Sequence, residues 1–473
     1  MRIVIPLLAA LLFAMAVPCV YAEGAQDTED ADKYLKPPKL VAKSAILIDA
    51  KTGNVLYEKK ADTKRKPASC TKILTALLAI ENMNPDDIIT VTDEAAGTEG
   101  SSVGLVDGEE IRTEDLLYAA LLESGNDAAA ALAVGVAGSV EQFAVRMNER
   151  VAELGLTQSC FANPHGLDDP EHYTTARNLA LIAREAMKNE DFRKYVTTYT
   201  YTMPETNLQP ERLLHNSNRL LYDKSRKVTV YGDSVPVKQD EITGIKTGYT
   251  SKAGNCLVSG MSRDGLELIS VVLKGSGMSH YADTLSLLEY GMHNFEDKTY
   301  LKKGDAMFER PVVNSGDEPM NIVLSGDLIA TVDKNHISEY YVDGEVTGET
   351  TGGGLLAPIK AGDKVGTAWV KTHEGQVLST VDLVAETSIG LKKDDPLMDI
   401  ISDEEVSPLS IILKIVGVIV LVAVIIVVIS VARSAAKRRI RRRNRMYGAK
   451  LKDSVDPREV RRIKNINNNT RRK

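Results

Sequence analysis

The chain has 473 residues, of which 43% are hydrophobic and 26% charged, with a formal net charge of −7; this is room for two ordinary globular domains and excludes a disordered or collagen-like polymer. The charge is unevenly placed: residues 433–473 hold 17 Lys/Arg and 3 Asp/Glu, whereas residues 23–432 hold 40 basic and 62 acidic side chains, a split that points to two compartments. Four Cys without regular spacing and seven His without an H-E-x-x-H arrangement exclude a disulfide framework and leave a zinc peptidase without support, so no metal or cofactor is expected.

Met1–Ala22 carries one cation, an apolar stretch from Ile3 to Val17, and then Val20-Tyr21-Ala22. This reads as a secretory signal peptide cleaved after Ala22. Residues 23–39 are acidic and Pro-containing, a flexible lead-in. Ser44–Asp49 and Asn54–Glu58 read as a hairpin turning at Lys51-Thr52-Gly53. Pro67-Ala68-Ser69-Cys70-Thr71-Lys72 then opens an apolar run, Ile73–Ile80, of helix-forming composition, and Pro67 suits a helix entry. Ile88–Thr92 is strand-like. Thr113 is expected to cap a helix that stops at Glu123-Ser124-Gly125-Asn126-Asp127, and an Ala-rich buried helix follows. Ser139 and Gln142 form a capping box for a helix ending at Leu154-Gly155. Asn163–Asp168 is a turn cluster, and Thr175 caps Ala176–Lys188.

Phe192–Asp240 mixes strand and loop. Ile245–Gly248, Asn255–Ser262 and Leu266–Leu273 read as antiparallel strands, and Tyr281–Phe295 as a closing helix. Strands, a helical block, strands and a helix describe an α+β domain over residues 40–297, an antiparallel sheet with helices packed on it. Short alternating runs separated by Gly and Asp turns then mark a small all-β sandwich over 298–389. An acidic linker, 390–408, leads to an apolar span at 409–432. Eighteen to 24 residues at about 1.5 Å each cover about 27–36 Å, enough for a transmembrane helix. The basic run from Arg433 abuts that span, so the 433–473 tail is expected in the cytoplasm and the body outside. That position makes it a stop-transfer signal rather than a nucleic-acid patch.

Three short motifs fall in order: Ser69-x-x-Lys72, Ser124-x-Asn126 and Lys246-Thr247-Gly248. On a helix, Ser69 and Lys72 share a face, with Cβ atoms about 5–6 Å apart. The positive end of the helix dipole disfavours a second cation there. A neutral lysine can take the serine proton and create a nucleophile. Each motif is weak alone, and a second K-T-G at Lys51-Thr52-Gly53 proves it. That copy lies in a turn ahead of the serine, where its lysine is most simply solvated. The copy at Lys246 lies in a strand, where its backbone can pair with an extended substrate.

The surrounding residues add a resemblance. Pro67–Lys72, Leu122–Ala129, Asn163-Pro164-His165-Gly166-Leu167, Tyr173–Arg177, His215–Leu221 and Gly244–Thr250 together resemble the serine-type D-alanyl-D-alanine carboxypeptidases, the low-molecular-mass penicillin-binding proteins. Leu356–Gly366 resembles that family's C-terminal module, so the likeness spans about residues 40–390. It implies a β-lactamase/transpeptidase-like catalytic domain that removes the terminal D-Ala from peptidoglycan stem peptides and is acylated by β-lactams. It also implies Ser69 as nucleophile, Lys72 as base and Ser124 as proton relay. Asn126 would hold the substrate amide and orient Lys72, and Lys246 and Thr247 would bind the terminal carboxylate. The backbone around Gly248 and Tyr249 lines the strand edge, with the N–H groups of Ser69 and Tyr249 as oxyanion donors. His280 stands where many relatives carry an Arg, so a weaker or pH-dependent carboxylate affinity is expected. A class A-like β-lactamase is the alternative enzyme, but Gly125 and the 163–168 loop do not supply the Asp and Glu it would want. A catalytically idle penicillin binder is the alternative outside enzymes. No nucleic-acid partner is expected, because the basic tail reads as a stop-transfer signal.

Overall fold

The computed structural model describes residues 34–315, 318–348, 350 and 353–392. The signal peptide, the 409–432 span and the basic tail lie outside these residues. The elements run β1 (Ser44–Asp49), β2 (Val55–Lys59), α1 (Lys72–Asn82), β3 (Ile88–Thr90), α2 (Asp93–Ala96), β4 (Glu110–Arg112), α3 (Thr113–Leu121), α4 (Asn126–Ala137), α5 (Val140–Glu153), α6 (Ala176–Ala186) and α7 (Glu190–Thr197). Two hairpins follow, β5 (Thr200–Met203) with β6 (Arg212–His215) and β7 (Lys227–Val230) with β8 (Asp233–Pro236). Then come β9 (Ile242–Thr250), β10 (Gly254–Arg263), β11 (Leu266–Gly275) and α8 (Ser279–Asn294).

The main sheet has the order β2-β1-β11-β10-β9, with every neighbouring pair antiparallel. Strand periodicity of two sends alternate side chains to opposite faces. Ile46, Ile48, Val258, Ile269 and Val271 join one buried core, on the helical-block face. Ala45, Leu47, Leu257, Leu268 and Val272 join a second core under α8. Each fully buried Ile, Leu or Val contributes about 1.5–3 kcal/mol relative to exposure, so both faces resist a one-residue slip of register. α1 is buried from Lys72 to Ala79. A helix apolar all round belongs in the middle of a core, and this one carries the nucleophile segment.

Local signals explain most boundaries. Ser139 Oγ accepts from Gln142 N, and Thr175 Oγ1 accepts from Asn178 N, as the caps require. Thr113 is the first helical residue of α3 rather than its cap, and the capping position falls to Arg112. The 192–240 region is not only strand and loop, because α7 occupies Glu190–Thr197. Asn189 caps it through Phe192 N, and Phe192, Tyr195 and Val196 are its buried face. That amphipathic pattern spans two turns, too short to stand out as a period.

The described residues form two compact units. The larger runs to Arg310 and includes 319–354 and 360–388. Beyond α8 it contains β12 (Phe295–Leu301) paired with β15 (Leu328–Asp333), and strands β14 (Glu318–Leu324), β16 (Tyr340–Val346), β18 (Lys364–Thr372) and β19 (Val377–Ala385) in the order β16-β18-β19-β14. The smaller holds 311–318, 355–359 and the residues from Ile389. In it, Val312 and Val313, the end of β13 (Ala306–Val313), pair in parallel with β17 (Leu355–Leu356). Among the described residues no single helix is long and apolar enough to cross a membrane.

Candidate active site

Ser69 lies in a 3-10 turn, Ala68–Thr71, that runs directly into α1 at Lys72. In a 3-10 turn, side chains three apart eclipse, which stacks Lys72 beneath Ser69. Ala68 enters the turn at φ 50° and Ser124 sits at φ 64°. Left-handed conformations cost an L-residue about 1–2 kcal/mol, and strain of this kind concentrates where geometry serves chemistry. The loop after α5 clamps the turn. Lys72 Nζ contacts His165 O, Thr75 Oγ1 donates to Pro164 O, and Thr71 Oγ1 meets His172 Nε2 at 2.8 Å. A Cβ on Gly166 would stand 1.9 Å from Ala68 O, so only glycine allows the loop so close.

Lys72 is completely buried. Its Nζ lies 3.2 Å from Ser69 Oγ, 2.6 Å from Asn126 Oδ1 and 3.0 Å from His165 O. Burial, and next the nearby Lys246 charge, hold its pKa well below the ordinary lysine range. A neutral amine has two N–H groups and one lone pair. The two carbonyl-type oxygens, Asn126 Oδ1 and His165 O, can only accept and so take the two N–H groups. Asn126 cannot turn its amide around, because its Nδ2 already donates to Glu99 O at 2.6 Å. The lone pair is left for the Ser69 hydroxyl, which donates to it. This is the arrangement of a base poised on a nucleophile.

Ser124 and Asn126 reach this site because α3 ends and α4 begins between them. Asp127, fully buried, accepts from Ser102 Oγ (2.6 Å), Val103 N (3.0 Å), Gly104 N (3.1 Å), Leu105 N (3.1 Å) and Ala128 N (2.9 Å). These charge-assisted bonds hold the 101–105 loop, and Ser101 O in turn accepts from Asn126 N.

The third motif lies on edge strand β9. Lys246 is 1% exposed, and burial pulls its pKa down to about 8. Thr247 Oγ1 stands 2.9 Å from Ser217 Oγ. Gly248 passes directly over the nucleophile turn: a Cβ there would meet Pro67 O at 2.9 Å, Ser69 N at 3.0 Å and Cys70 N at 3.1 Å. Tyr249 is exposed at the mouth. Ser69, Ser124, Thr247, Gly248 and Tyr249 line one cleft of about 450 Å³, with Lys72 and Asn126 immediately beneath through their hydrogen bonds. All eight residues singled out in the sequence thus meet at one place.

Glu123, Ser217 and Arg219 are among the further residues that line this cleft without having been assigned a role from the sequence. Ser217 and Arg219 fall in the His215–Leu221 segment, which carried resemblance but no chemistry of its own. His280 also lines the cleft and is nearly buried. Its Nδ1 lies 2.9 Å from Gly277 O, so that nitrogen is the donor. Burial, with the Arg219 charge adding to it, lowers its pKa to about 4. The imidazole is therefore neutral near pH 7, and the cation beside it is Arg219, which is itself paired with Asp223 at 3.0 Å.

Comparison with known proteins identifies the family. A family model described as D-alanyl-D-alanine carboxypeptidase matches residues 31–277, and one described as the C-terminal domain of penicillin-binding protein 5 matches 295–390. The D-alanyl-D-alanine carboxypeptidase DacF of Bacillus subtilis is 29% identical over 401 residues, 83% of this chain and 94% of the relative. DacA of Escherichia coli K12 is 30% identical over 370 residues, 76% of this chain and 86% of the relative. The crystal structure of penicillin binding protein 5 from Haemophilus influenzae superposes with a TM-score of 0.62 at 27% identity, covering 75% of this chain and 99% of that one.

Proposed function

The chain belongs to the D-alanyl-D-alanine carboxypeptidase family, with a catalytic α/β domain and a C-terminal β domain, and from that premise we propose the following reaction for this serine hydrolase. It cleaves the peptide bond between two terminal D-Ala residues of a peptidoglycan stem peptide. The observation that carries the reading is the buried Lys72 amine, whose lone pair is left to the Ser69 hydroxyl.

Ser69 Oγ attacks the carbonyl carbon as its proton passes to Lys72 Nζ. The developing oxyanion is met by the backbone N–H groups of Ser69 and Tyr249. The C–N bond breaks, and the leaving D-Ala amine takes a proton through the Ser124 hydroxyl. Water then attacks the ester carbonyl, giving up a proton to Lys72, and Ser69 is released with its hydrogen restored. Lys246 and Thr247 hold the terminal carboxylate, and Arg219 supports them from the same cleft. Because His280 is neutral near pH 7, this binding does not titrate through an imidazolium. A β-lactam acylates the same serine.

The finer organisation belongs to the same proposal: catalytic residues 40–297, a two-sheet sandwich over 298–389, a signal peptide at 1–22 and a single anchor at 409–432. The apolar runs and the reversal of charge beyond residue 432 support the membrane assignment.

The test uses the purified full-length protein, a peptide ending in D-Ala-D-Ala, and an assay for free D-alanine, with Ser69→Ala alongside. D-Alanine release by the wild type alone is the expected result, with the variant at least about 10⁴-fold slower. Covalent β-lactam binding without release would make the protein an idle binder. Rapid β-lactam turnover without release would make it a β-lactamase.

A further inference from the structure

The proposed reaction gives the substrate a direction on β9. Lys246 and Thr247 take the terminal carboxylate, and Tyr249 N–H meets the carbonyl one residue upstream. The rest of the stem peptide therefore runs past Tyr249 toward Thr250, along the free edge of the last strand of the main sheet. Each extended residue advances about 3.3 Å, so a residue two places upstream of the first D-Ala lies about 7 Å past Tyr249.

That end of the sheet carries a row of lysines. Thr250 pairs with Gly254, which puts Lys252 in the β9–β10 turn, and Ala253 N donates to Thr250 Oγ1 at 3.0 Å within that turn. Gly254 packs on the end of β11: a Cβ there would stand 2.9 Å from Gly275 O and 3.4 Å from Lys274 Cα. Gly275 is the register partner of Asn255, which lines the catalytic cleft. Across β11, Ser44 pairs with Leu273 and so sets Lys43 beside Lys274. The pairing of Ala45 with Lys59 brings Lys60 to the same end.

Lys43, Lys60, Lys252 and Lys274 are all exposed, and none of them forms an ion pair among the described residues. Glu58 and Asp62, on either side of Lys60 in the chain, are held by Arg177. Asp168 is the acid in contact with the substrate path, its Oδ1 accepting from Thr250 Oγ1 at 3.1 Å. Lys252 and Lys274 together outweigh its single charge. Lys60 and Lys274 also hold left-handed backbone, at φ 47° and 59°, which glycine adopts freely and a side chain does not. Lysines that only kept a sheet edge soluble would serve as well at unstrained positions.

We propose that Lys252 and Lys274 form an upstream anion subsite for this reaction. It takes the free carboxylate that the γ-linked D-Glu of a stem peptide carries two residues upstream of the first D-Ala, and Lys43 and Lys60 extend the positive potential behind it. The proposal rests on the D,D-carboxypeptidase reading. It makes the protein selective for stem peptides in which that carboxylate is free over those in which it is amidated.

The experiment measures kcat/KM for D-alanine release by the full-length protein from two pentapeptides, at about 0.02 M and about 1 M NaCl. One is L-Ala-γ-D-Glu-L-Lys-D-Ala-D-Ala, and the other has D-isoglutamine at the second place. They differ by one charge, and the ratio of their kcat/KM values cancels any loss common to both. Wild type should favour the free carboxylate by about fivefold at low salt, the scale of two exposed ion pairs. At high salt the preference should fall below about 1.5-fold, because the Debye length shrinks to about 3 Å. The Lys252→Gln/Lys274→Gln variant should show a ratio near one at both salt concentrations. A wild-type ratio near one at low salt, a preference that high salt leaves intact, or a variant that keeps the wild-type ratio overturns the proposal and makes these lysines solubilising charge only. Should the double variant not fold, each single variant is expected to about halve the ratio, and an unmoved ratio in both overturns the proposal equally. A wild type that releases D-alanine from neither peptide brings down the functional reading, and the proposal with it. Release from both peptides at equal efficiency sinks the subsite alone.

Discussion

The same tripeptide, Lys-Thr-Gly, occurs twice in this molecule, and the two copies share nothing except their letters. Lys51 has a half-exposed side chain whose Nζ bonds Asp297 Oδ2 at 2.6 Å and Gly265 O at 2.8 Å. Thr52 turns back on Asp49, its N and Oγ1 lying 2.5 and 2.6 Å from Oδ1, and Gly53 closes the hairpin at φ 82°. Lys246 is buried, Thr247 faces the cleft, and Gly248 sits in an extended strand pressed against the nucleophile turn. In the first copy the glycine supplies a backbone conformation, and in the second it supplies the absence of a Cβ. In the first the lysine is a solvated ion-pair partner, and in the second it is a desolvated charge whose field reaches the catalytic base. Environment, not identity, gives these residues their chemistry.

The largest expected contrast lies in the lysines. Lys246→Ala should slow acylation by a fluorescent penicillin by about 10²–10³-fold, as removal of a preorganised charge does. Lys51→Ala should leave that rate within twofold of wild type (roughly the precision of such an assay) and change stability by no more than about 1 kcal/mol, because the pair is half solvated. If both variants lose acylation alike, the contrast is broken.

The glycines sharpen it at a smaller scale. Gly248→Ala forces a methyl against three backbone atoms at 2.9–3.1 Å. Overpacking of that kind costs about 1–3 kcal/mol, and displacement of Ser69 should lower the acylation rate by about 10²-fold. Gly53→Ala meets only the Arg184 side chain at ordinary contact distance, 3.4 Å and beyond. Its left-handed φ should cost about 1–2 kcal/mol of stability, read as a lower Tm with the acylation rate intact. An unchanged rate in Gly248→Ala would show that the strand is free to retreat from the turn.

A last effect, on stability and not on acylation, concerns buried histidines, two of them in the loop that clamps the nucleophile turn and one in the cleft. His172 accepts from Ala162 N at Nδ1 and so donates to Thr71 Oγ1 from Nε2, which engages both ring nitrogens of the neutral imidazole. Burial lowers the pKa of His165 to about 3 and of His172 and His280 to about 4, against 6.5 in the unfolded chain. Below pH 6.5 the unfolded state binds protons that the folded state refuses, so stability is whole above 6.5 and falls as the pH drops toward 4. Each histidine adds at most about 1.4 kcal/mol per pH unit in that window. Thermal unfolding followed from pH 7.5 to 4.5 should show Tm falling, and His172→Gln should flatten the slope. A Tm independent of pH across that range would mean that these rings protonate in place.

Much of this could be read from the chain alone. Alternation at Ile46/Leu47/Ile48 and Val271/Val272 is written in side-chain period, and caps such as Ser139 and Thr175 act on backbone groups three residues away. Local physics of that range needs no tertiary context. The order of Ser69, Lys72, Ser124, Asn126 and Lys246 also distinguished the later K-T-G from the earlier one. Helix α7 was missed because its two turns depend on Phe192, Tyr195 and Val196 finding a core to bury against. Glu123 and Arg219 stayed silent because a charged residue in a turn reads as solvated until something closes over it. What the sequence by itself determined is therefore which groups could act and in what order they occur. Only the tertiary structure decided that burial holds the Lys72 amine well below the ordinary lysine range, that His280 is neutral near pH 7, and that Arg219 and Glu123 share the cleft with Thr247. Protonation state depends on desolvation and on charges tens or hundreds of residues away in the chain, and neither quantity exists before the fold brings those residues together.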